Sequence, residues 1–211
     1  YHGCVPLKED GNLKSVRIFG RSYKGKGLYE VLESYVRKGF YAMDPKEKER
    51  GKDIMWYIWL SENSPLFGKD KMATFERYFL AEKETHKEKK NPYYLLLEDE
   101  KVVEKILKEF GLENEDAHII NGHVPVKCKD GENPVKCGGK VLVIDGGFSK
   151  AYQKETGIAG YTLIYNSYGL ILAAHKPFES TEAAIEKESD IHSDSTVAVS
   201  YTHLRAHETR G

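Results

Sequence analysis

Two histidines, far apart in the chain, occupy similar short motifs. His2 begins the motif H-G-C-V-P, and His123 lies within G-H-V-P, so that each imidazole stands beside a glycine. Glycine has no Cβ and lets backbone and ligand approach closely. A neutral imidazole at the end of a strand is a good ligand for Mn, Fe or Zn. Two histidines alone leave the metal interpretation open, because a catalytic metal needs three or more protein ligands and a lone histidine is more often structural.

A carboxylate and two glycines follow the apolar run Val141–Ile144. Asp145 could be a metal ligand, an orienter of a ligand histidine or the residue that caps a turn. Gly146 and Gly147 could present backbone N–H groups to an anion, although two glycines also fit an ordinary turn. Chemistry collects at strand ends in open α/β sheets, so this segment is a candidate part of a site.

Three basic residues are candidates for binding a phosphate. Lys150 follows the two glycines, Lys90 ends the charged run 87–90, and Arg77 lies in a short helical pattern. A guanidinium can bind a phosphate bidentately, but Arg77 could equally pair with Glu76 or Glu84. Lys150 and Lys90 also fit ordinary solvated lysines of a surface loop.

The elements that would position these residues alternate between strand and helix. Apolar residues at helical spacing predict helices over Gly27 to Ala42 and Asp99 to Phe110, and a weaker helix from a Thr74 N-cap to about Lys83. Strands are predicted at residues 16–19, 119–122 and 141–144, a hairpin at residues 160–165 and 169–174, and a short helix at residues 181–187. The predicted class is α/β with a mixed sheet.

The most apolar stretch is Asp53 to Leu60, which follows a charged segment at Lys46 to Lys52. Both tryptophans of the chain, Trp56 and Trp59, lie in this stretch. Large aromatic side chains contribute strongly to protein cores. The sequence therefore predicts that both indoles belong to the core and do not form a ligand platform.

Composition limits the function classes. The net charge of -1 argues against a protein held to nucleic acid by bulk electrostatics, and no apolar run is long enough to span a bilayer. The three cysteines form no C-x-x-C pair and fit a reducing cytoplasm better than a disulfide scaffold. We expect a cytoplasmic protein with neither nucleic acid nor a membrane as its partner.

The two ends of the chain look unlike a complete gene product. The chain begins at Tyr1 with no methionine, and residues 199–211 show no periodicity. This tail is similar to the translation of an adapter used in sequencing libraries, so we expect it to be non-native and exclude it from reasoning about the fold.

Three long motifs resemble the class III fructose-1,6-bisphosphatases of Firmicutes. They are T-F-E-R-Y-F-L-A-E-K-E-T-H-K-E-K-K-N-P-Y-Y from Thr74, I-I-N-G-H-V-P-V-K from Ile119, and V-I-D-G-G-F-S-K-A-Y-Q-K-E-T-G-I-A-G-Y from Val143. The resemblance runs from His2 to about Phe178. It implies that residues 1–180 form the C-terminal part of a metallophosphatase domain and that 181–198 form a surface helix and tail.

That family resembles the calcineurin-like metallophosphoesterases, which have a two-sheet sandwich flanked by helices and a dinuclear metal centre, commonly of Mn. His2 matches the family's later H-G motif and His123 its final G-H motif, which implies that both bind the same metal. The blocks D-x-H, G-D-x-x-D and G-N-H-D/E would precede Tyr1. The resemblance implies hydrolysis of the sugar bisphosphate fructose 1,6-bisphosphate to fructose 6-phosphate, in gluconeogenesis.

In this interpretation Lys150, Arg77 and Lys90 would bind phosphate, and Asp145, Gly146 and Gly147 would contact substrate or support a ligand. The fragment alone is expected to be inactive, since most metal ligands lie outside it. A non-catalytic remnant and a related phosphatase acting on a phosphoprotein or nucleotide are the alternatives. The sequence leaves an oligomer open.

Overall fold

The computed structural model describes residues 1–145, 153–154, 156–167, 169–177, 180–186 and 193–200. The chain divides into two compact units, Tyr1–Ala117 and His118–Gly211. The elements confirm a mixed α/β class, and the described strands form three small sheets. Within this part of the chain, no helix is long and apolar enough to cross a membrane.

The first unit contains a short hairpin and four α-helices. The antiparallel strands are β1 (Val16–Ile18) and β2 (Arg21–Tyr23), and the helices are α1 (Gly25–Tyr41), α2 (Pro45–Leu60), α3 (Thr74–Phe79) and α4 (Glu100–Glu109). Single 3-10 turns lie at Lys83–His86 and Pro92–Leu95. The predictions of β1, α1 and α4 are confirmed to within a few residues.

One core of this unit joins the hairpin to the helix pair. Val16 and Ile18 of β1 pack against Leu28 and Leu32 of α1 and Ile54 of α2. Alternate residues of β1 are buried, as expected for a strand with one face on a core. Helix α4 adds its own apolar face, and Asp99 caps it by accepting from the N–H groups of Lys101 and Val102.

Three predictions in this unit are wrong, one on the tryptophans and two on the bounds of α3. Helix α2 runs through both the charged segment and the apolar stretch, and its N-cap Asp44 and the following Pro45 explain where it begins. Trp56 and Trp59 are 62% and 60% exposed and therefore do not belong to the core. Helix α3 ends at Phe79, well before Lys83, and Ala73 holds the N-cap position expected for Thr74.

The described residues of the second unit form two three-stranded sheets. In the first sheet, β3 (Ile119–Asn121) pairs parallel with β5 (Val141–Val143), which pairs antiparallel with β4 (Val135–Lys136). The second sheet is antiparallel, in the order β6 (Gly160–Asn166), β7 (Gly169–His175) and β8 (Ser193–Ser200). A short helix α5 (Thr181–Glu186) precedes β8. The predicted mixed sheet, hairpin and short helix are confirmed.

Helices α1 and α2 touch backbone to backbone at a pair of glycines. A Cβ placed on Gly39 would lie 2.5 Å from the Cα of Gly51, and one on Gly51 would lie 2.6 Å from the Cα of Gly39. The two helices could not keep this separation with any larger residue at either position. By contrast, a Cβ on Gly27, also in α1, would meet nothing within 4 Å.

We predict that Gly51→Ala lowers the free energy of unfolding by about 1–3 kcal/mol, because the helices must move apart. The matched control Gly27→Ala should raise the free energy of unfolding by up to about 1 kcal/mol, since alanine favours the helix and nothing obstructs it. Urea denaturation of both variants checks this. Equal and small effects of the two substitutions would contradict the close approach.

Candidate metal and substrate site

The segment that carries His2 is fixed in the first unit by backbone hydrogen bonds. Cys4 donates its N–H to the Pro65 carbonyl at 2.7 Å. Leu7 donates its N–H to the Asn91 side-chain oxygen at 3.1 Å, and Tyr29 donates its hydroxyl to the Cys4 carbonyl at 2.8 Å. Residues 3–7 are buried. Burial also raises the pKa of the Cys4 thiol to about 12, which keeps it protonated.

Gly3 shows why glycine follows this histidine. A Cβ on Gly3 would overlap the carbonyl oxygens of Pro65 and Leu66. The glycine therefore allows two stretches of backbone to touch at the point where the chain leaves the core. His2, the next residue toward the N-terminus, is exposed beside this contact.

His2 lies at a cavity of about 340 Å³ whose wall is largely apolar. Leu32 and Val36 of α1 and Met55 and Ile58 of α2 contribute to this wall. The charged side chain among the lining residues is Glu33, which pairs with Arg37 at 2.6 Å. The side chains lining this cavity thus offer His2 little further metal-binding chemistry.

His123 lies in the second unit, just beyond the end of β3. Parallel pairing places the ends of β3 and β5 at the same edge of their sheet, with Asn121 opposite Val143. The chain continues this pairing, because Ile144 donates its N–H to the Asn121 carbonyl and Val126 donates its N–H to the Asp145 carbonyl, both at 2.9 Å. The loop that contains His123 therefore runs beside Asp145.

The backbone at His123 has an unusual conformation. Its φ is +67°, in the left-handed region that favours glycine, and Val124 donates its N–H to the Gly122 carbonyl across it at 2.8 Å. The same carbonyl accepts a hydrogen bond from the side-chain N–H of Asn121 at 2.9 Å. Strained backbone of this kind persists where the surroundings hold it, and it is concentrated at functional sites.

Asn121 is a residue whose role the sequence did not reveal. It is buried, and its side chain donates a hydrogen bond to the Gly122 carbonyl. This carbonyl also accepts the hydrogen bond that closes the turn at His123. A buried amide needs hydrogen-bond partners, so Asn121 restricts how this turn can be arranged. The only available signal was its position in the N-G-H sequence at the end of an apolar run.

We predict that His123→Gly unfolds with a higher free energy than His123→Ala, by about 1 kcal/mol, because glycine adopts the positive φ without strain. At Ile120, in the regular strand β3, the order should be reversed, with Ile120→Gly less stable than Ile120→Ala. Denaturant unfolding of the four variants checks this. The same order at both positions would contradict a strained turn at His123.

The described residues do not bring together enough donors to bind a metal. No group of three or more His, Cys, Asp or Glu side chains comes together among the described residues. His2 belongs to the first unit and His123 to the second. The two imidazoles have suitable donor chemistry, but the described part of the chain does not complete a centre. The convergence of these histidines on one metal stays a prediction.

Arg77 has a partner that the sequence did not suggest. Its guanidinium lies 3.8 Å from the Glu88 carboxylate, in place of the expected Glu76 or Glu84. Glu88 also accepts from Lys69 Nζ at 2.9 Å and from the Ala73 N–H at 3.0 Å. Partial burial would raise the pKa of Glu88, but these hydrogen bonds and the nearby positive charges outweigh it and lower that pKa. Glu88 thus orders the start of α3.

We predict that Glu88→Gln lowers the free energy of unfolding near neutral pH by about 1–3 kcal/mol, because a charge-assisted hydrogen bond is weakened. The folded pKa of Glu88 is lowered, so its stabilisation is present above about pH 4.3, the ordinary glutamate pKa, and disappears as the pH falls through the folded value. The difference between variant and wild type should shrink in acid. The exposed Glu84, paired with Lys87, provides the control, and Glu84→Gln should have little effect at either pH.

Lys90 borders a basic pocket of about 260 Å³ in the first unit. The same pocket is lined by Lys8, Lys14, Lys69 and Lys89, with Glu9, Glu62 and Asp70 as the acidic members. Lys89 pairs with Glu9 at 3.1 Å. The lysines outnumber the carboxylates that line the pocket, but Lys69 also pairs with Glu88, so the pocket has a small excess of positive charge. Gly146, Gly147 and Lys150 lie outside the described residues.

The family of the chain is established by comparison with known proteins. The family model of Firmicute fructose-1,6-bisphosphatase matches residues 1–209. The chain therefore belongs to the Firmicute fructose-1,6-bisphosphatase family. No solved structure matches it.

Individual relatives carry the name fructose-1,6-bisphosphatase class 3. The protein of Clostridioides difficile is 60% identical over 197 residues, covering 93% of this chain and 30% of the relative. One from Clostridium beijerinckii is 58% identical over 191 residues, covering 90% and 29%, respectively. The chain thus spans about 30% of the length of the curated relatives it matches.

Proposed function

We propose that this chain is the part of a class 3 fructose-1,6-bisphosphatase that supplies His2 and His123 to a dinuclear metal centre. The whole enzyme would hydrolyse fructose 1,6-bisphosphate to fructose 6-phosphate and phosphate, and the site would form within a two-sheet metallophosphoesterase sandwich. The observation that carries the proposal is the strained turn at His123, held at the carboxyl ends of two parallel strands in a chain of this family.

The proposed roles follow from position and chemistry. His2 and His123 would bind one metal, for which manganese is proposed, and such a centre supplies an activated water and polarises the phosphoryl oxygens. Asp145, whose backbone pairs with the loop after His123, would orient that imidazole or bind substrate.

The phosphate groups of the substrate need positive charge and N–H donors. Lys90 is supported as a phosphate-binding residue by the basic pocket that it borders. Arg77 has less support, because its guanidinium already faces the Glu88 carboxylate. Lys150, Gly146 and Gly147 are proposed for the same task on their sequence context alone. The three free cysteines fit the cytoplasm as the compartment.

The experiment compares His2→Ala, His123→Ala and His86→Ala in the complete polypeptide. His86 is the control, because its ring contacts the Leu80 carbonyl in an exposed 3-10 turn. We expect the first two variants to lose bound metal and about 100-fold or more in kcat/KM, since changes to supporting residues alone cost 10- to 100-fold. Metal content is measured by mass spectrometry of the purified protein, and turnover by phosphate release.

The substrate is tested in the same assay. Fructose 1,6-bisphosphate with Mn should be hydrolysed faster than a phosphopeptide, a nucleotide or a generic phosphoester. A preference for a phosphopeptide or nucleotide would favour a related phosphatase, and absence of turnover by the complete polypeptide would favour a non-catalytic remnant. Unchanged metal content and rate in His123→Ala would rule out His123 as a ligand. The isolated chain should show no turnover.

A further inference from the structure

The outer side of the α1–α2 pair carries a broad apolar surface. Phe40, Met55, Trp56, Trp59 and Leu66 line one groove of about 840 Å³, and each of these side chains is more than two-fifths exposed. We call these five residues the α1–α2 apolar face. Both tryptophans of the chain are part of it. Contiguous apolar surface of this kind on a soluble protein indicates a place where something binds.

The last two turns of α2 explain the surface. Residues 54–60 read I-M-W-Y-I-W-L, which is apolar on every side of the helix. Ile54, Tyr57 and Ile58 pack on α1 and β1. Met55, Trp56 and Trp59 point the other way and remain in water. A helix that is hydrophobic all round is normally buried on all sides, so this end of α2 lacks half of its packing.

We infer that the α1–α2 apolar face is the docking surface for the part of the class 3 polypeptide that lies outside the segment matched here. The relatives carry about 70% of their length outside that segment, so a large covalently attached partner is available. Lys48 and Lys52 line the same groove, and Lys52 already pairs with Glu49 at 3.3 Å. The docking segment should therefore present apolar anchors and a carboxylate that faces Lys48.

A second argument concerns the location of the groove. Val36, Met55, Ile58 and Leu66 line both the groove and the cavity at His2. If His2 binds a metal, the ligands that the described residues do not supply must approach the His2 cavity from other parts of the polypeptide. This argument rests on the proposed function, whereas the apolar surface and the length of the relatives do not.

The first experiment measures oxidation of methionines by peroxide in the complete polypeptide, followed by peptide mass spectrometry. Met55 and Met72 are 53% and 46% exposed, and only Met55 lines the groove. We expect Met55 to oxidise several-fold more slowly than Met72, because the docked segment covers it. Oxidation of Met55 at the rate of Met72 would overturn the inference.

The second experiment identifies what covers the face. Zero-length carbodiimide coupling joins lysines to neighbouring carboxylates, and a mixture of ¹⁴N and ¹⁵N protein separates links within one chain from links between copies. We expect Lys48 to couple within one chain to acidic residues outside the matched segment, whereas the link from Lys52 to its partner Glu49 serves as an internal control. Coupling of these lysines between isotopically different copies would assign the face to a second copy and overturn the proposed occupant.

A pair of variants supplies the energetic test. Trp59→Lys in the complete polypeptide should lower the melting temperature, because it places a charge in a covered contact. Leu95→Lys is the matched control, since Leu95 is apolar, more exposed and outside the groove, and it should have little effect. Equal melting temperatures for the two variants would overturn the inference. None of these readouts depends on turnover or metal, so loss of the phosphatase proposal would leave them interpretable.

Discussion

The first unit depends on close contacts between stretches of backbone. Such contacts are possible only at glycine, which has no side chain. Gly39 and Gly51 let α1 and α2 touch, and Gly3 lets the N-terminal segment lie on the carbonyls of Pro65 and Leu66. The first contact sets the separation of the helices that wall the cavity at His2, and the second sets where His2 leaves the core. The position of this imidazole thus follows from the close approach of backbone that these three glycines allow.

In the second unit, parallel strand pairing has the corresponding role. Pairing of β3 with β5 brings two polar strand ends to one edge, although more than twenty residues separate His123 from Asp145 in the chain. Val126 then bonds the Asp145 carbonyl, and Asn121 fixes the turn that holds His123 at positive φ. Because these contacts are made by the backbone and a buried amide, the loop keeps its form independently of the exposed side chains.

The sequence predicted what local patterning controls. Apolar residues at helical spacing between Asp99 and Phe110 predicted α4, and the strand pattern on either side of a turn predicted the β6–β7 hairpin. Arg77 shows the limit, because its partner Glu88 is reached through the fold of residues 69–90 and not through helical spacing. The strain at His123 was equally hidden, since backbone dihedral angles depend on hydrogen bonds that only the folded strands create.

The exposure of Trp56 and Trp59, which were predicted to be buried, and the shortage of metal ligands among the described residues have one feature in common. The hydrophobicity of residues 54–60 correctly indicated that the end of α2 needs to be buried. The described residues, however, cover only one side of it. Likewise, the motifs at His2 and His123 indicated ligands, yet neither histidine belongs to a group of three or more His, Cys, Asp or Glu side chains among the described residues. Additional polypeptide can supply both what the end of α2 lacks, which is apolar contact, and what the histidines lack, which is further metal ligands. The relatives are long enough to provide both, and the groove and the His2 cavity share part of their walls. Under the proposed function, one docked segment would bury the end of α2 and bring ligands toward His2, which would couple folding of the complete polypeptide to metal binding.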